Sequence, residues 1–182
     1  MTARGNKLDT ISMTKIALLV AILSASSYLV IPLPFTPIVL SMHTVMVNVI
    51  GLILKPRHAA YTILIYLFMG LIGLPIFSGG SAGPGKLFGA TGGFYFGFLF
   101  AVIAISILKG KKNNIVRYAA VTIGVGIPIQ HLFAILFMYF HNGFNIQAAA
   151  FTVSLPFIPG DIIKCILASV IGAALNKVLE HY

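Results

Sequence analysis

Acidic residues are scarce in this chain: three Asp and Glu stand against twelve Lys and Arg, for a net charge of +9 over 182 residues. Charged residues of both signs make up only 8% of the sequence, whereas a soluble domain carries roughly a quarter. That scarcity excludes an ordinary soluble fold. The single cysteine, Cys165, lies in an apolar run, so an internal disulfide and a cysteine metal site are excluded too. No His-x-x-x-His or Glu-x-x-His spacing occurs, and no metal is expected. Acid–base catalysis has little to draw on. Asp9 and Glu180 lie near the ends, leaving Asp161 as the one carboxylate within an apolar segment. The chain is therefore read as a non-enzyme.

What is present is apolar. Hydrophobic residues are 59% of the sequence and the mean hydropathy is +1.02. This is the composition of an integral membrane protein, with the lipid bilayer as its first partner. A crossing takes about 20 residues and every backbone group must be paired inside the bilayer. The expectation is an all-α membrane protein of six transmembrane helices, one domain over residues 1–182. The apolar segments are Ser12–Ile31, Ile38–Leu54, Ala59–Leu74, Gly92–Leu108, Ile115–Phe140 and Ala148–Leu179. Pro128 is expected to kink the fifth, and Pro156 to Gly160 to break the last. Residues 1–27 have the outline of a signal peptide, but the apolar run continues to Ile31 and favours an uncleaved first helix. No internal repeat and no low-complexity linker are seen.

Charge placement gives the orientation. With the N-terminus in the cytoplasm, ten of the twelve basic residues fall on the cytoplasmic side, and only Lys86 and Lys164 fall outside. Both termini are then cytoplasmic in a multi-pass cell-membrane protein. The excess positive charge reports topology, and no nucleic-acid partner is expected.

Leu74 to Gly93 is too rich in Gly and Pro for helix and too apolar for a solvated linker. It faces outward in this topology, as does the break near residue 160. Asp161 and Lys164, three apart, share a helix face. Counting ~1.5 Å per residue back from Leu179 puts Asp161 about 27 Å along the last helix, near the outer edge of the hydrocarbon. Two readings stand side by side: a binding pair reaching the Gly-rich loop, and an N-cap at Asp161 with Lys164 snorkelling outward. Gly80 to Lys86 matches the spacing of a phosphate loop, but Leu87 replaces the required Ser or Thr and no strand precedes it. That match is rejected. His43, Asn48, Gln130 and His131 read as interhelical hydrogen-bonding residues. Ala17, Ala21 and Ala25 form a small-residue ridge on the first helix, suited to close helix approach.

At these residues the sequence resembles the BioY family, the biotin-binding S components of energy-coupling-factor transporters. The resemblance spans nearly the whole chain. It rests on Gly73-Leu74-Pro75, the Gly-rich runs Gly79 to Gly83 and Gly89 to Gly93, the Pro34-Phe35-Thr36-Pro37 turn, and Pro156 to Lys164. It implies the S-component fold, a prokaryotic cell membrane, and an outward-facing biotin pocket in which Asp161 and Lys164 match an Asp-x-x-Lys pair. Ser81 then falls where the loop supplies a polar contact, and Tyr95 faces the same pocket. Ser81 is smaller than the Asn that can stand there, and Tyr95 lacks the charge of an Arg, so Lys86 becomes a candidate for the valerate carboxylate. The alanine ridge resembles the surface that docks on a transmembrane coupling subunit, with two ATPase subunits beneath it. This chain has no cofactor of its own. Biotin is the transported ligand, and ATP is used by the partners. Another vitamin, or a stand-alone biotin carrier, are the alternatives the same residues allow.

Overall fold

The computed structural model describes residues 9–31 and 40–179. The Pro34-Phe35-Thr36-Pro37 turn lies outside the described residues. Among those described, the fold is helical apart from one two-residue antiparallel strand pair.

Helix α1 covers Thr10–Ser26, its first turn capped by Asp9, whose carboxylate accepts from the Ser12 N–H. The helix ends sooner than its apolar run, which continues to Ile31. Val30–Ile31 instead forms strand β1, paired with β2 at Leu40–Ser41. This corrects the expectation of helix to Ile31: β-branched Val30 and Ile31 suit a strand, and apolar content alone does not distinguish the two.

Helix α2 is His43–Ile53, only 11 residues, or about 16 Å at ~1.5 Å per residue. It is much shorter than the expected span from Ile38. It is also the centre of the bundle. Val45, Val47, Val49, Ile50 and Leu52 are all buried, and α2 packs against α5 (Gly92–Leu108) and α9 (Ile158–Leu179). Its C-terminal carbonyls are met by side chains from other helices. Lys109 Nζ donates to Leu52 O and Leu54 O, each at 2.7 Å, and Asn176 Nδ2 donates to Leu52 O at 3.1 Å. A helix end inside a bundle needs such partners.

Helix α3, Pro56–Leu71, starts with Pro56 in the first turn, where its missing N–H costs nothing. The Gly-rich stretch follows and contains one helical turn, α4 (Pro84–Leu87). The fifth apolar segment is α6 (Ile115–Val121), a π-helical turn at Thr122–Gly126, and α7 (Ile127–Asn142). The π turn lies just before Pro128, which has no N–H to return to the preceding turn. Short α8 (Ile146–Val153) precedes α9, so the last segment is broken, but at residues 154–157: Pro159 and Gly160, expected in the break, lie in the first turn of α9, where a proline's missing N–H is tolerated.

Among the described residues, two runs are long and apolar enough to cross a membrane, Ile115–Phe140 with 26 residues and Ile158–Leu179 with 22. Large apolar side chains such as Leu18, Phe68, Ile107, Phe140 and Ile163 face outward, an arrangement suited to hydrocarbon and costly in water.

One close approach positions the site. A Cβ on Gly93 would overlap the Phe133 carbonyl oxygen and come within 2.7 Å of Ala134 Cα, and one on Gly97 would come within 2.9 Å of Gln130 Cα. Because both residues are glycine, α5 and α7 meet nearly backbone to backbone. That contact brings the middle of α7, with His131, toward the centre of the bundle.

Candidate functional site

The Gly-rich stretch folds into a loop tied to three helices. Phe77 and Ser81 exchange backbone hydrogen bonds, N–H of Phe77 to Ser81 O at 2.9 Å and the reverse at 3.2 Å. Gly79 and Gly80 between them have φ of 73° and 71°, a left-handed turn that glycine adopts without strain. Gly79 N–H donates to Ser27 O at the end of α1 and Gly83 N–H donates to Gly70 O on α3. The Ser78 N–H donates to the Tyr95 hydroxyl on α5 at 3.0 Å. Fully buried Phe77 fills the space beneath, its ring 4.6 Å from that of Tyr95 and 5.6 Å from that of Tyr66.

A buried hydrogen-bond chain anchors the same loop to α2. Tyr66 Oη donates to Ile76 O at 3.0 Å and lies 2.8 Å from His43 Nε2. With its own hydrogen used, the phenol accepts from Nε2–H. His43 Nδ1 then accepts from the Ser41 hydroxyl, 2.7 Å away. Every polar atom in this chain has a partner, so the loop is held by a relay with one consistent direction.

Beneath the loop is a cavity of about 180 Å³. Phe94, Tyr95, Phe98 and Phe157 give it aromatic walls, and Ser41, His43, Thr44, Ser78, Gly79 and Thr91 give it small polar groups. Three charged side chains line it: Lys86, Asp161 and Lys164. Lys164 Nζ donates to Asp161 Oδ1 at 3.0 Å, and both residues are only 6% exposed. Asp161 is not the N-cap. Helix α9 begins at Ile158, and the Asp161 N–H already donates to Phe157 O at 2.8 Å. Its carboxylate is turned to other side chains instead. The second oxygen, Oδ2, lies 3.0 Å from His131 Nε2 on α7.

The structure thus brings Lys86, Tyr95, Asp161 and Lys164 to one cavity. Ser81 is not among the residues lining it. Its hydroxyl donates to Ser78 O at 2.8 Å and closes the loop, while Ser78 and Gly79 face the space. His43 and His131, read from the sequence as interhelical hydrogen-bonding residues, do make such bonds, to Tyr66 and Asp161, and they also belong to the surroundings of this cavity. Their place beside the cavity carried no sequence signal, since an interhelical bond alone accounts for a histidine in an apolar run. Lys86, on α4 opposite, makes no ion pair among the described residues. Its burial holds its ammonium below the usual lysine range.

The phosphate-loop spacing ends in a helix of four residues, which is not the extended helix such a loop opens. On the far side of α1, Ala17 and Ala21 line an apolar groove of about 590 Å³ with Met13, Ile16, Val20 and residues of α3. Ala25 is exposed on the same helix but does not line the groove.

A model of the BioY family matches residues 1–181. The chain belongs to the BioY family. It is 36% identical over 171 residues to the biotin transporter BioY2 of Lactococcus lactis subsp. cremoris (strain MG1363), covering 93% of this chain and 92% of that one. It is 33% identical to the probable biotin transporter BioY of Pyrococcus horikoshii, covering 88% and 93%. Among solved structures it is similar to the S-component for biotin from an ECF-type ABC transporter, with a TM-score of 0.84, 26% identity, and coverage of 97% and 95%.

Proposed function

We propose that this chain is the substrate-binding S component of an energy-coupling-factor transporter, and that it captures biotin in the cavity beneath the Gly-rich loop. The observation that carries this is the buried Asp161–Lys164 pair on one side of an aromatic-walled cavity with Lys86 on another element. Biotin presents ureido N–H donors and a ureido carbonyl, an apolar thioether ring and a carboxylate. Asp161 accepts from ureido N–H, the aromatic walls take the ring, and Lys86 takes the carboxylate. Two lysines against one aspartate leave the cavity one positive charge in excess, which matches one carboxylate anion. Tyr95 contributes a hydroxyl already aligned by Ser78, and Ser81 acts by shaping the loop.

Counting α1, α2, α3, α5, the joined α6–α7 run and α9 gives six helices. With both termini in the cytoplasm of a prokaryotic cell, the loop faces outward. Ala17, Ala21 and Ala25 then offer the ridge for a transmembrane coupling subunit, and two ATPase subunits supply the energy that this chain lacks.

The test is equilibrium binding of labelled biotin to the purified, detergent-solubilised chain, with unlabelled thiamine and riboflavin as competitors. Stoichiometric binding displaced by unlabelled biotin and by neither competitor is the expected result. Displacement by thiamine or riboflavin would assign a different vitamin. The Lys86 contact has its own pH signature. The ammonium holds a carboxylate only below its pKa, and burial moves that pKa down. Affinity is expected to fall as pH rises toward the lysine range, and Lys86→Gln to weaken binding at neutral pH and flatten that fall. An unchanged slope in the variant would place the carboxylate elsewhere.

A further inference from the structure

His131 does not line the cavity, yet it is one of the two side chains that hold Asp161. It is 5% exposed, with Nε2 3.0 Å from Asp161 Oδ2, while Lys164 takes Oδ1 at the same distance. The Phe94 ring, itself a wall of the cavity, meets the imidazole edge to face at 5.6 Å and 83°. Nδ1 is buried with no hydrogen-bond partner. An ionised carboxylate only accepts, so Nε2 carries the hydrogen and Nδ1 the lone pair. This arrangement also leaves the smaller defect, since an N–H buried at Nδ1 would be a donor with nowhere to go.

We propose, building on the biotin reading above, that His131 is a positioning residue for the substrate's N–H donors. Each carboxylate oxygen has two acceptor directions. His131 occupies one on Oδ2 from outside the cavity and Lys164 one on Oδ1, which fixes the carboxylate plane. The directions left free are those available to the ligand. Asp161 is thereby kept as a pure acceptor at a set angle, and the site selects a polar head that donates N–H. Without the Nε2 donor, Asp161 swings on its Lys164 bond, and the ligand must order it on binding.

The test uses the full chain and three substitutions at residue 131, read by biotin affinity and thermal midpoint. His131→Gln places an amide N–H near the position of Nε2 and is expected to bind within about threefold of wild type. His131→Asn, one methylene shorter, keeps a buried amide that cannot reach Oδ2. It is expected to lose about tenfold or more, the usual effect of leaving a buried polar group unpaired. His131→Ala is expected to lose as much, and to add no further loss in an Asp161→Asn background, because its effect runs through that carboxylate. Equal binding by the Gln and Asn variants, or losses that multiply in the double variant, would overturn the positioning role while leaving the biotin assignment standing. Failure of wild type to bind biotin would overturn the assignment and this role together. The Gln and Asn contrast remains decisive if the alanine variant does not fold.

Discussion

Asp161→Ala is expected to lower biotin affinity by roughly a hundredfold to a thousandfold, the largest loss of any single change in the cavity. Asp161 is 6% exposed and its carboxylate is bonded to two side chains. Its removal deletes the acceptor proposed for the ureido N–H and also leaves the Lys164 ammonium buried without its anion and the His131 N–H without its acceptor. Breaking the buried pair costs stability; the affinity loss comes from the ligand's hydrogen bonds to a charged acceptor, about 1.5–3 kcal/mol each, with ~1.4 kcal/mol per tenfold. Asp161→Asn keeps the volume and one acceptor, so its loss is expected to be smaller, roughly tenfold to a hundredfold. Titration with labelled biotin checks both. An alanine variant that folds and binds within a few-fold of wild type would remove Asp161 from the binding contacts.

The second large effect separates folding from binding. Lys164→Met leaves the Asp161 carboxyl buried and held by His131 alone, and is expected to lower stability by about 3–5 kcal/mol, read as a fall in thermal midpoint. The double variant Asp161→Leu, Lys164→Met removes both charges together. Replacing a buried ion pair by apolar side chains of similar volume is often neutral or stabilising, so most of the lost midpoint should return. Biotin binding should not. A double variant as unstable as the single one would mean that the pair is needed to hold α9 itself. One that regained biotin binding would mean that the aromatic walls suffice.

Both predictions depend on a pair that was visible before any coordinates. A carboxylate and an ammonium three residues apart in an apolar helix must share a face, because 3.6 residues make a turn, and burying them is too costly to be incidental. What could not be read was the partner. His131 lies 30 positions away in the chain and meets Asp161 only because Gly93 and Gly97 let α7 approach α5 closely. A glycine in an apolar run announces that a close approach is allowed, without saying to which helix.

The loop shows the same division. Its Gly and Pro content argued against helix, which holds except for the single turn α4, and the positive φ at Gly79 and Gly80 accounts for the need for glycine. Which of its side chains turn toward the cavity depends on hydrogen bonds to Ser27, Gly70 and Tyr95. Those bonds turn Ser78 inward and use the Ser81 hydroxyl within the loop. Apolar content also overestimated α1 and α2. Val30–Ile31 and Leu40–Ser41 are hydrophobic enough to extend both helices, but pair as strands instead.

The sequence by itself determined the solvent this protein lives in, the apolar segments that become its helices, and the two charges that had to be paired. Those are properties of composition and of short-range spacing, where the free energy depends on neighbours within a turn or on transfer to lipid. Tertiary structure alone decided that the 11-residue α2 lies buried at the centre of the bundle, that His131 completes the carboxylate's shell, and that Ser78 rather than Ser81 faces the cavity. Each of those depends on contacts between segments far apart in the chain, among them the close α5–α7 approach that Gly93 and Gly97 permit.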